Sequence, residues 1–212
     1  PNTSQSVILN DPSGRRQIHC DLKDIQDRSY PEDQFRLALE GVTMVAAGTL
    51  NMNRPLARMA RAAGIPVAVD FHVLRDLEDP YHLDFLETAS LAFFSHEGLD
   101  CSPAEWARRA HARWGFTHVV VGCGAEGAWL SVPGEGTSIL VPAVTPRPVV
   151  NTIGAGDALF SCFLHELNMH GDSRKALARA VLFAGWKIGQ AGAAEGFPDR
   201  EQWQALVKAA ES

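Results

Sequence analysis

Apolar and polar positions alternate between two textures along the chain. Ser6-Val7-Ile8-Leu9 and Arg15-Arg16-Gln17-Ile18-His19-Cys20 are short extended runs on either side of Asn10-Asp11-Pro12-Ser13-Gly14, a turn-forming cluster. They predict a β-hairpin, which by itself is marginal in water and must lean on other strands, in this chain or outside it. After residue 30 the pattern changes. A polar helical stretch over 31–40 precedes Thr43-Met44-Val45-Ala46-Ala47, a helix over 54–63 and the buried strand Ile65-Pro66-Val67-Ala68-Val69-Asp70. The apolar run 91–94, a helix over 103–113 and His118-Val119-Val120-Val121 continue the alternation. Strands separated by helix-length segments predict βαβ units and a mostly parallel sheet. The runs 128–132 and 138–141 around Pro133-Gly134-Glu135-Gly136 predict a second hairpin, and the last third predicts helices over 155–169, 173–190 and 199–210.

Composition narrows what such a fold can do. With 212 residues, 46% of them hydrophobic and 21% charged, the chain suits one globular domain with a substantial core. Its formal charge of −6 argues against a nucleic-acid or anionic-membrane surface, because such binding needs a Lys/Arg excess to neutralise phosphates. Small molecules are the expected partners. The four cysteines, Cys20, Cys101, Cys123 and Cys162, are dispersed without a CxxC pair and read as free thiols of a reducing cytosol. No apolar run approaches the ~18 residues of a membrane span and no signal peptide is visible, so a cytoplasmic location is expected. The chain opens with Pro1.

The sharpest chemical signal is Val149-Val150-Asn151-Thr152-Ile153-Gly154-Ala155-Gly156-Asp157. Leu159, Phe160, Phe163, Leu164 and Leu167 recur at helical spacing, so a helix opens at or just after Gly154. A helix N-terminus carries unpaired N–H groups and a partial positive charge, and small residues there admit an anion. Asp157 falls in the first turn, where a carboxylate can take a proton from an attacking hydroxyl. The plainer alternative is a first-turn acid that favours the helix dipole, with glycines that merely permit a tight turn.

The segment from Val150 to Asp157 resembles the signature of the PfkB, or ribokinase-like, family of sugar kinases, usually Asp-Thr-x-Gly-Ala-Gly-Asp. Residues 119–128, Val-Val-Val-Gly-Cys-Gly-Ala-Glu-Gly-Ala, are similar to the family's strand and Gly-x-x-Gly turn beside the nucleotide. Ala184-Gly185-Trp186-Lys187, with Gly192-Ala193 and Phe197-Pro198, resembles the wall of the adenine pocket. The resemblance implies a ribokinase-like α/β fold. Residues 1–25 would then form a partial β lid over the sugar, and 26–212 the nucleotide-binding and catalytic core. It further implies an ATP-dependent kinase of a sugar or polyol using Mg2+, with a homodimer through the lid. Asp157 would be the general base, Gly154, Ala155 and Gly156 the anion hole, Asn151 and Thr152 its cation-side support, and Gly122, Gly124, Gly127, Ala184 and Lys187 the ATP contacts.

Three departures qualify that picture. Asn151 stands where many members carry an acid that helps hold an activating monovalent cation, so no potassium dependence is read from this chain. Ser95-His96-Glu97-Gly98 occupies the place of the family's Asn-x-x-Glu, leaving Glu97 as an offset candidate for the metal through water, or a solvated loop acid. Ser95, with Arg147-Pro148-Val149-Val150, is closer to the ketohexokinase-like branch. Family members also place a strand, a helix and a Gly-Gly sugar-contact segment before the lid, so the chain is expected to be N-terminally truncated, and activity of these residues alone is left open.

Rival readings are weaker. Gly122-Cys123-Gly124-Ala125-Glu126-Gly127 satisfies GxGxxG, but Ala128-Trp129-Leu130-Ser131-Val132 is strand-like where a dinucleotide fingerprint must open a helix. His165 and His170, five apart, fall on different helix faces, there is no HExxH, and no P-loop motif occurs. His72, just past Asp70 at a strand's C-terminal end, is placed either to touch substrate or to bond the local backbone. A nucleotide-binding or regulatory relic of the kinase fold is the remaining alternative.

Overall fold

The computed structural model describes residues 3–10 and 16–211. Strands β1 (Gln5–Asn10) and β2 (Arg16–Asp21) pair antiparallel as a separate two-stranded sheet, with Ile8 opposite Ile18. The turn cluster expected at 11–14 lies outside the described residues. No described strand of the larger sheet pairs with this hairpin. Val7, Leu9 and Ile18 are accordingly exposed.

Helix α1 (Glu32–Ala38) leads into the main unit: β3 (Val45–Gly48), α2 (Asn53–Ala62), β4 (Val67–Asp70), α3 (Leu83–Thr88), β5 (Leu91–Ser95), α4 (Pro103–Trp114) and β6 (His118–Gly122). Strands β7 (Ala128–Val132) and β8 (Thr137–Val141) follow, then α5 (Ala155–His170), α6 (Ser173–Lys187) and α7 (Arg200–Ala210). The six strands lie in chain order; β3 to β6 are parallel, and β7 runs antiparallel to both neighbours. The mostly parallel sheet and its terminal hairpin match the expected ribokinase-like fold. One element was not foreseen: α3, six residues long, sits in an Asp-, Pro- and Tyr-bearing stretch without a full helical repeat. It exists because Phe85 and Leu86 are buried against the sheet.

The period-2 pleat sends each strand's apolar residues to two cores. Val67, Val69, Ala92, Phe94, Val119 and Val121 face α2, α3 and α4, while Ala68, Leu91, Phe93, Val120, Ala128 and Leu130 face α5 and α6. Such continuous apolar runs are what a sheet covered on both sides requires, and each buried large side chain contributes about 1.5–3 kcal/mol.

Three of the later helices begin on a side-chain cap, whereas α1, α2 and α3 have none. Ser102 caps α4 through Glu105 N–H, with Pro103 in the first turn; Asp172 caps α6; and Asp199 with Gln202 forms a capping box on α7. Helix α5 starts at Gly154 with no side-chain cap.

Candidate active site

Open α/β sheets place ligands beyond the C-terminal ends of their parallel strands. There β4 ends in Asp70, β5 in Ser95 and β6 in Gly122, and the first turn of α5 lies close enough for the charges of Asp70 and Asp157 to act on each other. Gly154 has φ +78°, a left-handed conformation that glycine adopts without strain, and a β-carbon there would lie 2.5 Å from the carbonyl oxygen of Ala193. Gly156 differs: a β-carbon would meet nothing within 4 Å, so the mouth is open on that side. The amide of Ala155 bonds the carbonyl of Thr152 at 3.2 Å, and the side-chain oxygen of Asn151 accepts Ile153 N–H at 2.8 Å. The 151–155 turn is thus closed on itself in front of the helix. Asp157 stands exposed in its first turn.

Asp70 is the neighbour that sequence reasoning passed over. It is 9% exposed, and burial pushes its carboxyl above the ordinary value of 3.8, with the charge of Asp157 acting in the same direction and that of His72 opposing. Its Oδ1 accepts His72 N–H at 2.9 Å, and its Oδ2 lies 3.4 Å from His72 Nδ1. The available signal was an acid ending a fully apolar strand. His72 itself has φ +54° and a side chain 61% exposed, so its ring faces outward from this corner. Glu97 is exposed beyond β5, its N–H bonded to Ser95 Oγ at 3.2 Å.

The glycine turn after β6 is held against the sheet edge. At Gly127, φ +110°, a β-carbon would lie 2.0 Å from the carbonyl of Val141, and at Gly185 of α6 one would lie 1.7 Å from the carbonyl of Val144. The run 141–147 therefore passes between the Gly122–Gly127 turn and the C-terminal half of α6. The wall continues through Arg147, whose Nε donates to the carbonyl of Trp186 at 2.6 Å, whose Nη2 donates to that of Gly196 at 3.0 Å, and whose guanidinium lies 4.3 Å from the Trp186 ring. Phe197 stacks on Phe183 with ring centroids 5.6 Å apart. The GxGxxG stretch opens a short 3-10 turn into β7 rather than an α-helix.

Lys187, expected beside Ala184 along that wall, is turned inward. It is 0% exposed, and its Nζ donates to the carbonyl of Ile153, directly before Gly154. Burial lowers its pKa, while the Asp157 carboxylate works in the opposite direction.

Helix α5 thus opens on a glycine-lined turn with one exposed carboxylate in its first turn, a second, buried carboxylate near enough to feel its charge, and a buried ammonium bonded to the turn. No group of three or more His, Cys, Asp or Glu suited to a metal occurs among the described residues. None of the described helices is long and apolar enough to cross a membrane.

Known proteins share this arrangement of elements. A 1-phosphofructokinase of Haloferax volcanii is 33% identical over 162 residues, covering 73% of this chain and 52% of that protein. A deoxyribokinase of Salmonella typhi is 33% identical over 102 residues, covering 48% of this chain and 32% of that one. The chain spans about half the length, or less, of these relatives. Among solved structures, a microbiome-derived acarbose kinase superposes with a TM-score of 0.84 at 28% identity, covering 97% of this chain and 69% of that one. A ribokinase of Arabidopsis thaliana, complexed with ribose and ATP, shares the fold at a TM-score of 0.76 and 19% identity, covering 97% of this chain and 69% of its own. The pattern of the pfkB family of carbohydrate kinases matches residues 2–200. With its uncapped Gly-Ala-Gly-Asp helix mouth at the end of a mostly parallel sheet, this chain belongs to the pfkB family of carbohydrate kinases.

Proposed function

We propose that the chain carries the nucleotide-binding and phosphoryl-transfer half of an ATP-dependent kinase that acts on a hydroxyl of a sugar or small polyol. The observation that carries this reading is the mouth of α5. Its amides lack a side-chain cap, the space at Gly156 is open, and Asp157 stands in the first turn. Charge developing on the transferred phosphoryl group is stabilised by the fixed amides at Gly154 and Gly156, with that of Ala155 joining them once it turns from the carbonyl of Thr152, and Asp157 accepts the proton of the attacking hydroxyl. Asn151 and Thr152 close the turn that holds the mouth. The nucleotide lies between the Gly122, Gly124 and Gly127 turn and the Ala184 wall, a reading supported by the intervening run 141–147.

Magnesium fits this donor set as a phosphate-bound ion. The ion keeps several waters and needs only one or two protein carboxylates, and Glu97 is the exposed acid that would reach it through water. When bound, it neutralises part of the phosphate charge. The hairpin of β1 and β2 serves as the lid over the sugar and, through the face that carries exposed Val7 and Leu9, as the contact with a second copy. His72 is a candidate sugar contact at the end of β4. A cytoplasmic location belongs to the same reading, from the dispersed cysteines of the sequence.

The test is Asp157→Asn. Calorimetric binding of Mg-ATP should survive, because the carboxylate is not part of the nucleotide wall, while transfer to the sugar falls by about 10²–10⁴-fold, the usual worth of a general base. Undiminished transfer would remove Asp157 from that role.

A further inference from the structure

Lys187 is the most enclosed charged group among the described residues, and the site as described leaves it without a task. It is the last residue of α6, and it is fully buried. An ammonium removed from water is costly unless fixed partners replace its hydration. Its partner is the carbonyl of Ile153, which belongs to the turn that opens α5. The same turn is bonded to the end of α6 from the other direction: the amides of Val150 and Asn151 both donate to the carbonyl of Ile188, at 2.8 and 3.0 Å. Gly154 abuts Ala193 on its remaining side.

The charges around the ammonium are few. Asp157 and Glu195 favour its charged form and Arg147 disfavours it. Asn151, next in the turn, is a neutral amide whose oxygen is already engaged by Ile153 N–H. The C-terminal end of α6 adds the negative pole of a helix dipole, which favours a cation at this position. A positive charge is therefore fixed behind the helix mouth, on the carbonyl side of the turn whose amide side faces the ligand.

Building on the kinase reading above, we propose that Lys187 is a positioning residue for phosphoryl transfer: its enclosed ammonium holds the Ile153–Gly154 turn from behind and supplies, from within the chain, the fixed monovalent charge of the site. It does not contact ATP. Two consequences follow. Transfer should be indifferent to dissolved monovalent cations, and loss of the ammonium should open a place that a small cation can fill.

The experiment compares wild type, Lys187→Met and Lys187→Arg in chlorides of potassium, ammonium and choline at equal ionic strength, reading both thermal unfolding and steady-state transfer. For wild type, the unfolding temperature and kcat should be the same in all three salts. Lys187→Met should lose about tenfold or more in kcat with KM for ATP little changed, because the turn is misplaced while the nucleotide wall stands. Potassium or ammonium, but not choline, should restore part of that kcat and raise the unfolding temperature of the methionine variant alone. Lys187→Arg, which keeps the charge with a bulkier head, should fall between the two. Selective activation or stabilisation of the wild type by potassium would overturn the inference, as would a loss in Lys187→Met that no small cation repairs, since packing alone would then account for it. If Lys187→Met does not fold, the wild-type comparison still decides. If the wild type transfers phosphate to no sugar yet Lys187→Met is selectively stabilised by potassium, the built-in cation stands and the kinase reading falls.

Discussion

Replacing Gly154 by alanine tests whether the helix mouth is held by packing or only tolerated by it. The new methyl meets two penalties. At φ +78° an L-residue is strained by about 1–2 kcal/mol, and its β-carbon would lie 2.5 Å from the carbonyl oxygen of Ala193, which must move or be overpacked at about 1–3 kcal/mol. The loss should come to about 2–5 kcal/mol in all. Gly171, the C-cap of the same helix, separates the two effects. It has φ +70°, but a β-carbon there meets nothing within 4 Å, so Gly171→Ala should cost only the strain, about 1–2 kcal/mol. Gly156 supplies a third case. It is not at positive φ and a β-carbon there also meets open space, so Gly156→Ala should leave stability unchanged or raise it by up to about 1 kcal/mol. Its methyl nonetheless stands in the mouth, and transfer should drop by about 10²-fold. Urea unfolding of the three variants, read as midpoint and slope, gives the stabilities; initial rates give the rest. If Gly154→Ala proves no less stable than Gly171→Ala, the contact with Ala193 does not constrain the turn and the account of the mouth fails.

Two other perturbations probe the charges around the site. Because burial raises the carboxyl pKa of Asp70 above 3.8, the unfolded chain ionises there first; stability is lost as pH rises from 3.8 through the folded value, and the penalty is complete above it. Asp70→Asn should therefore stabilise the protein most near neutral pH and least below 3.8; a variant whose advantage does not grow with pH would contradict the assignment. Arg179 donates to Glu166 at 2.7 Å and to Glu211 at 2.9 Å, tying α5, α6 and α7 together, and the Glu166 side chain is only 5% exposed. Arg179→Met should cost about 3 kcal/mol in urea unfolding by leaving that carboxylate with only His170, 3.6 Å away, while Glu166→Leu in the same chain should recover most of the loss. A double variant as unstable as the single one would mean that the arginine acts through packing.

Much of this architecture is legible without coordinates, for reasons that differ by element. The runs at 67–69, 91–94 and 119–121 are unbroken apolar stretches, which only strands covered on both faces require, and caps that can be read locally open α4 at Ser102-Pro103 and α7 at Asp199 with Gln202. The mouth of α5 is equally local. Its small residues, its acid and the apolar face behind it all lie within a few positions of one another. Helix α3 escapes such reading, because six residues are too few to show a period and too short to be stable alone; it is made by the burial of Phe85 and Leu86.

The sequence by itself thus determined the order of the strands and of every α-helix but α3, the hairpin before them and the residue chemistry of one helix mouth, since each depends on residues that interact with near neighbours. Only the tertiary structure decided what faces that mouth. Asp70 ends a strand far along the chain from Asp157, and Lys187 meets the carbonyl of Ile153 across a separation of 34 residues. Whether Lys187 lines a nucleotide wall or is enclosed behind the turn is set by how α6 packs on the sheet. A side chain's type and position along the chain leave that direction open; the packing of α6 and the carbonyl of Ile153 that receives the ammonium fix it.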